Sequence, residues 1–70
     1  MEKTTYYDYP SETYACREIE DTEQDKFVGL FGKFYGKEEH TRETSPAMTN
    51  LDADALTKGK EISKEEYEAL

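Results

Sequence analysis

Cysteine and histidine are almost absent from this chain of 70 residues, and tryptophan is missing altogether. Cys16 is the one cysteine and His40 the one histidine, so no intramolecular disulfide can form and the usual set of about four zinc ligands is lacking. An unpaired cysteine suits a reducing compartment, and we therefore expect a cytoplasmic protein. Because neither a disulfide nor a metal supports so small a core, we expect a homodimer.

Long apolar runs and catalytic motifs are absent as well. No segment approaches the roughly 20 apolar residues of a membrane span, and the first ten residues lack the apolar core of a signal peptide. The glycines form no phosphate-binding loop, since no Gly-Lys-Ser or Gly-Lys-Thr follows them. Paired carboxylates would need a pocket, for which a chain of this size has little room. The sequence thus predicts no enzyme, no cofactor and no membrane contact.

Acidic residues dominate what is present. Seventeen Asp and Glu face nine Lys and Arg, for a net charge of −8. The charge is −6 over residues 1–25, +3 over residues 26–37 and −5 over residues 38–70. Carboxylates at this density repel one another and oppose compaction. They would also repel DNA and anionic lipid, so the expected partner is a basic protein rather than nucleic acid itself.

Two segments near the start of the chain have the composition of strands. Residues 3–9 are rich in Thr and Tyr, and Pro10 ends the run. Residues 13–19 alternate, with Tyr14 and Cys16 on one face. The sequence therefore predicts two neighbouring strands.

Residues 26–35 fit two structures. Their apolar side chains recur at helical spacing, which favours a helix over residues 23–35. Gly29 and Gly32 would each cost a helix about 1 kcal/mol, which favours a strand instead. We predict the strand and keep the helix as the alternative.

The second half of the chain reads as a loop followed by helical segments. Residues 37–50 are polar enough to predict a mobile loop. Residues 51–57 favour a short helical turn. Ser63 and Glu66 fit a capping box, which predicts a C-terminal helix over residues 64–69.

These elements predict a single α+β domain over residues 1–70. Its antiparallel sheet would hold two to three strands, at about 3–9, 13–19 and 26–35, with the C-terminal helix at about 64–69.

The acids suggest a binding site. The densest cluster comprises Glu18, Glu20, Asp21, Glu23 and Asp25, and a second set is Asp52 and Asp54. Alternate residues of a strand lie about 6.6–6.8 Å apart on one face. Glu18 and Glu20 could therefore present charge at a spacing close to that of successive phosphates along one DNA strand. The alternative for the denser cluster is a solvated turn between two strands.

In size, acidity and lack of catalytic motif, the chain resembles the small acidic host-takeover proteins of bacteriophages. Those proteins include inhibitors of HU-type nucleoid proteins, of restriction enzymes and of CRISPR effectors. The resemblance implies a DNA-mimicking inhibitor that covers the basic surface of a DNA-binding protein, with an HU-type nucleoid protein favoured. As an alternative, the chain is an adaptor subunit that binds a protein through its aromatic surface, to which Tyr6, Tyr7, Tyr9 and Tyr14 belong.

Overall fold

A computed structural model of the chain describes residues 1–41 and 49–70. Those residues form an antiparallel sheet of five strands and two helices. The strands are β1 (Glu2–Tyr9), β2 (Tyr14–Asp21), β3 (Lys26–Phe34), β4 (His40–Thr41) and β5 (Lys60–Ile62). The helices are α1 (Thr49–Lys58) and α2 (Lys64–Ala69). Across the sheet the strands run in the order β4-β3-β2-β1-β5.

The predicted sheet of two to three strands is wrong, because the structure has five. The three long strands lie close to the predicted positions, and the alternative helix over residues 23–35 does not form. The missed strands are β4, of two residues, and β5, of three residues. Strands of two or three residues are too short to show an alternating pattern in the sequence. They form because their backbones pair with the edges of the longer strands β3 and β1.

The two faces of the sheet are covered by different helices. α1 packs across β1 and β2. On this side, which we call the α1 face, the buried residues are Tyr14, Cys16, Leu30 and Ala55. Tyr67 of α2 stacks against Tyr6 on the opposite side, which we call the α2 face, with ring centroids 5.2 Å apart. Alternation along β2 therefore sends Cys16 to the α1 face and Arg17 to the α2 face.

The helices begin and end where local chemistry permits. The predicted helical turn at residues 51–57 is part of a ten-residue helix, α1. The predicted capping box of α2 is confirmed: the Ser63 side chain accepts a hydrogen bond from the Glu66 amide, and the Glu66 carboxylate accepts one from the Ser63 amide, each at 3.2 Å. These bonds satisfy amides that the first turn of a helix leaves unpaired.

The predicted mobile loop at residues 37–50 is only partly covered by the described residues. His40 and Thr41 pair with Gly32 and Phe31, so this part of the predicted loop is strand β4. Thr49 and Asn50 belong to α1. The prediction for residues 42–48 lies outside the described residues.

Candidate functional site

The hairpin of β2 and β3 carries the densest group of acids. Its turn spans residues 22–25. Asp21 Oδ1 accepts hydrogen bonds from the amides of Glu23 (3.0 Å) and Gln24 (3.4 Å). Asp25 has φ of 51°, in the left-handed region that Asp adopts more readily than most residues. The acids at the turn therefore help to form it, as well as charging its surface.

Glu18 and Glu20 point to the α1 face, beyond the part that α1 covers. They alternate with Ile19 along β2, so both share the face of Cys16. Both are half-buried, whereas Cys16 is completely buried. Within the described part of the chain neither carboxylate forms an ion pair. Lys3 of β1 lies directly opposite Glu20 on the same face, whereas the residue opposite Glu18 on β1 is the uncharged Thr5.

An apolar side chain lies beside these two carboxylates. The pairing of β2 with β3 shifts between Ile19 and Glu20, and this irregularity brings Phe27 opposite Glu20. The side chain of Phe27 is 54% exposed, and the neighbouring Val28 is also exposed. We call the surface formed by Glu18, Glu20 and Phe27 the acidic hairpin face. Aromatic side chains are enriched at protein interfaces, and the adjacent exposed Val28 extends the apolar area around Phe27.

The second predicted acid set is not part of this surface. Asp52 is 2% exposed, so its carboxylate faces the core rather than a partner. Asp54 lies on α1 and forms an ion pair with Lys58 at 3.9 Å. The helix thus turns one of these acids inward and gives the other a partner on the next turn.

Asp52 belongs to a buried polar cluster on the α1 face. The Tyr14 hydroxyl donates a hydrogen bond to Asp52 Oδ1. Because this bond uses its only proton, the hydroxyl oxygen accepts from His40 Nε2, at 3.1 Å. Burial, and next the hydrogen bond to Asp52, raise the pKa of Tyr14 well above its ordinary value. The cluster therefore holds α1 and β4 to the centre of the sheet.

The sequence did contain a signal for the burial of Asp52. Asp52, Ala55 and Leu56 follow the spacing i, i+3, i+4, which places the acid on the apolar side of α1. Ala55 is completely buried, and Leu56 packs on the core. A carboxylate in that position needs a buried donor. The donor, Tyr14, lies 38 residues earlier in the chain, so only the fold reveals it.

Cys16 is expected to be unreactive in the folded protein. Its burial, with smaller contributions from the charges of Asp52 and Glu18, raises the pKa of the thiol to about 12. At about pH 8 we expect the aromatic disulfide DTNB to label Cys16 at least about 100-fold more slowly than glutathione, because the thiolate is the reacting form. Concentrated guanidinium chloride should restore the ordinary rate. Rapid labelling of the folded chain would contradict the placement of Cys16.

The α2 face carries a second set of charged contacts. Arg17 donates two hydrogen bonds to Glu39, from Nε at 2.8 Å and from Nη2 at 3.1 Å. The Tyr67 hydroxyl donates a third, at 2.6 Å. Burial by itself would raise the pKa of Glu39, but the hydrogen bonds from Arg17 and then Tyr67 outweigh it and hold the pKa below its ordinary value. Glu39 is therefore a carboxylate at neutral pH.

A metal site and a membrane-spanning helix are both lacking in the described residues. Residues 1–41 and 49–70 contain no group of three or more His, Cys, Asp or Glu side chains that could hold a metal ion. In the same residues no helix is both long and apolar enough to cross a membrane.

Comparison with known proteins finds one family. Residues 1–69 match the model of a family described as Tis1 immunity protein. No curated protein and no solved structure shows significant similarity to the chain. The match covers nearly the whole chain, so it applies to the sheet and both helices together.

Proposed function

The chain belongs to the Tis1 immunity protein family, and on that basis we propose that it neutralises a toxin by binding a basic surface of it through the acidic hairpin face. Membership gives the chain a protective, inhibitory role. The observation that carries the rest is the position of Glu18 and Glu20, two carboxylates on one strand face, without an ion pair in the described residues and next to the exposed Phe27.

The physical basis is charge complementarity with an apolar anchor. A net charge of −8 would steer the chain towards a basic partner and raise the rate of association. Phe27 would then supply most of the buried apolar area, since aromatic side chains at the centre of an interface often dominate its affinity. Glu18 and Glu20 would pair with Lys or Arg side chains around it.

The finer form of the proposal is mimicry of nucleic acid. Alternate strand residues place Glu18 and Glu20 about 6.6–6.8 Å apart, close to the separation of phosphates along one DNA strand. A toxin whose basic surface binds nucleic acid would fit this arrangement, because the carboxylates would occupy phosphate positions. That the partner is an HU-type nucleoid protein, as expected from the sequence, stays a prediction. The competition experiment with DNA described below tests it.

We expect the double substitution Glu18→Gln and Glu20→Gln to weaken binding of the partner by about 100-fold. This corresponds to about 1.4 kcal/mol for each carboxylate, at the low end of the coupling energies measured for close charge pairs across interfaces. Glu12→Gln with Glu65→Gln is the matched control, because both residues are exposed and the net charge changes equally. Affinity would be measured by isothermal titration calorimetry with the partner captured at low salt.

The same complex separates mimicry from docking through aromatic residues. Mimicry requires that duplex DNA compete with the chain for the partner and that affinity fall steeply between about 50 and 200 mM salt. If Glu18→Gln with Glu20→Gln weakened binding no more than Glu12→Gln with Glu65→Gln, and DNA did not compete, the acidic hairpin face would not be the binding site.

The adaptor function was expected on a surface of Tyr6, Tyr7, Tyr9 and Tyr14, but Tyr14 is completely buried and Tyr7 and Tyr9 pack on the core. Its remaining support is the exposure of Phe27 and Val28. It requires that Phe27→Ser abolish binding and that the affinity depend little on salt.

A further inference from the structure

A groove lies on the α2 face. It has a volume of about 470 Å³, within the range of pockets that bind small ligands or peptide side chains. Residues from β1, β2, β3, the segment after β3 and α2 form its walls. They are Tyr6, Arg17, Lys33, Lys37, Glu39, Lys64, Tyr67 and Glu68. Because Arg17 and Glu18 are neighbours on one strand, the groove and the acidic hairpin face lie on opposite sides of the sheet.

The charge of this groove is opposite to that of the chain. Four bases and two acids line it, although the net charge of the chain is −8. Nearly half of the nine Lys and Arg residues of the sequence are thus gathered at one place. We call it the cationic groove.

The groove already binds a carboxylate of its own chain. Arg17 holds Glu39 with two parallel hydrogen bonds, and the Tyr67 hydroxyl adds a third. Paired N–H groups of Arg match the geometry of a carboxylate. The guanidinium of Arg17 is itself held against the ring of Phe31, 4.1 Å from its centroid. The groove therefore has a rigid, carboxylate-binding floor.

The lysines of the groove retain capacity for another anion. Lys33 Nζ lies 4.8 Å from the centre of the Tyr67 ring. The charge of Lys33 helps to hold the pKa of Glu39 down, but neither Lys33 nor Lys37 forms an ion pair within residues 1–41 and 49–70. Lys64 has only a loose pair with Glu68, at 4.0 Å, and both side chains are 63% exposed. A carboxylate can accept hydrogen bonds from an ammonium group while apolar atoms next to it contact the neighbouring ring.

We propose that the cationic groove binds an acidic segment of a partner protein, whose carboxylates pair with Lys33 and Lys37 and whose chain lies over Tyr6 and Tyr67. The groove binds the Glu39 carboxylate by the same chemistry. A long nucleic acid is disfavoured, because its phosphates would extend beyond the groove towards the many acids of the remaining surface.

The test is an NMR titration of the isotopically labelled full chain with a blocked hexaglutamate peptide. We expect saturable shifts confined to the groove. Lys33→Gln with Lys37→Gln should weaken peptide binding about tenfold, which corresponds to about 0.7 kcal/mol for each of two exposed charge pairs. The matched control is Lys58→Gln with Lys60→Gln, which removes the same charge outside the groove and should change affinity less than twofold. Lys33→Arg with Lys37→Arg should retain binding.

Three results would overturn the proposal. The first is equal weakening by the groove and control variants, which would mean that binding follows net charge alone. The second is an equal response to inorganic phosphate, which would make the groove a general anion site. The third is movement of the groove signals on dilution without peptide, which would make a second copy of the chain the occupant. The variant with Glu18→Gln and Glu20→Gln should still bind the peptide. The proposed role of the acidic hairpin face can therefore be disproved without affecting this test of the groove.

Discussion

Gly32→Ala is expected to lower the free energy of unfolding by about 3 kcal/mol, at the upper end of the cost of overpacking a core. A Cβ at this position would overlap the Tyr14 hydroxyl and lie 2.7 Å from Asp52 Oδ1. Tyr14 and Asp52 are both fully buried, so neither can move aside without breaking the hydrogen bond between them. Total stability at this chain length is about 3–10 kcal/mol, so the variant should be partly or wholly unfolded at 37 °C.

Gly29→Ala is the matched control in the same strand. Its new Cβ would have Phe31 Cε2 as its nearest neighbour, at 3.6 Å, which is an ordinary contact. Because glycine weakens a strand interior, we expect the stability of this variant to be unchanged or raised by up to about 1 kcal/mol. The free energies of unfolding of Gly32→Ala and Gly29→Ala would be measured by urea denaturation, with circular dichroism as the signal. Equal losses in the two variants would show that the strand rejects any side chain and that the contact with Tyr14 is not the cause.

Tyr14→Phe is expected to lower the free energy of unfolding by about 2–3 kcal/mol, which is typical of a hydrogen bond to a charged group. The substitution removes no carbon atom of the ring, so packing against Phe34, whose ring centroid is 5.2 Å away, is kept. It leaves the Asp52 carboxylate in the core without the Tyr14 hydroxyl, the one side-chain donor to it among the described residues. The cost is therefore mainly that of a buried charge that has lost its hydrogen bond, and His40 Nε2 loses its partner as well.

Two further variants isolate that cause. Tyr9→Phe removes a hydroxyl from a residue packed on the same core and should cost less than about 0.5 kcal/mol, since no side-chain hydrogen bond of Tyr9 is found in the described residues. Asp52→Asn should recover part of the stability lost in Tyr14→Phe, because an amide is less costly to bury than a carboxylate. Simple additivity of the two substitutions in urea unfolding would mean that the Tyr14–Asp52 contact carries no energy.

The long elements were predictable because their signals are local. Alternation and composition indicate β1 and β2, and the capping box of Ser63 and Glu66 marks the start of α2. Gly32 shows the limit of local reasoning. Glycine lowers the stability of a helix, and this correctly favoured a strand. The reason that position 32 needs glycine is different: the hydroxyl of Tyr14, on the neighbouring strand, occupies the place of a Cβ.

The short strands and the donor to Asp52 were beyond such reasoning. The three residues of β5 pair with β1 across more than 50 positions of sequence, so nothing near Glu61 indicates them. The helical spacing of α1 indicated that Asp52 is buried, but its donor, Tyr14, lies 38 positions away and is identified only in the fold. The cationic groove was missed for the same reason, since its bases lie in three separate segments of the chain and meet only when α2 crosses the sheet.

The sequence by itself determined the acidity of this protein, its three long strands and its capped C-terminal helix, and its family rests on the sequence too. Only the tertiary structure decided which acids face outward, which one is buried, and where the bases collect. The physical reason is that propensity, alternation and capping act between neighbours in the chain, whereas burial and ion pairing depend on residues that become neighbours when the chain folds.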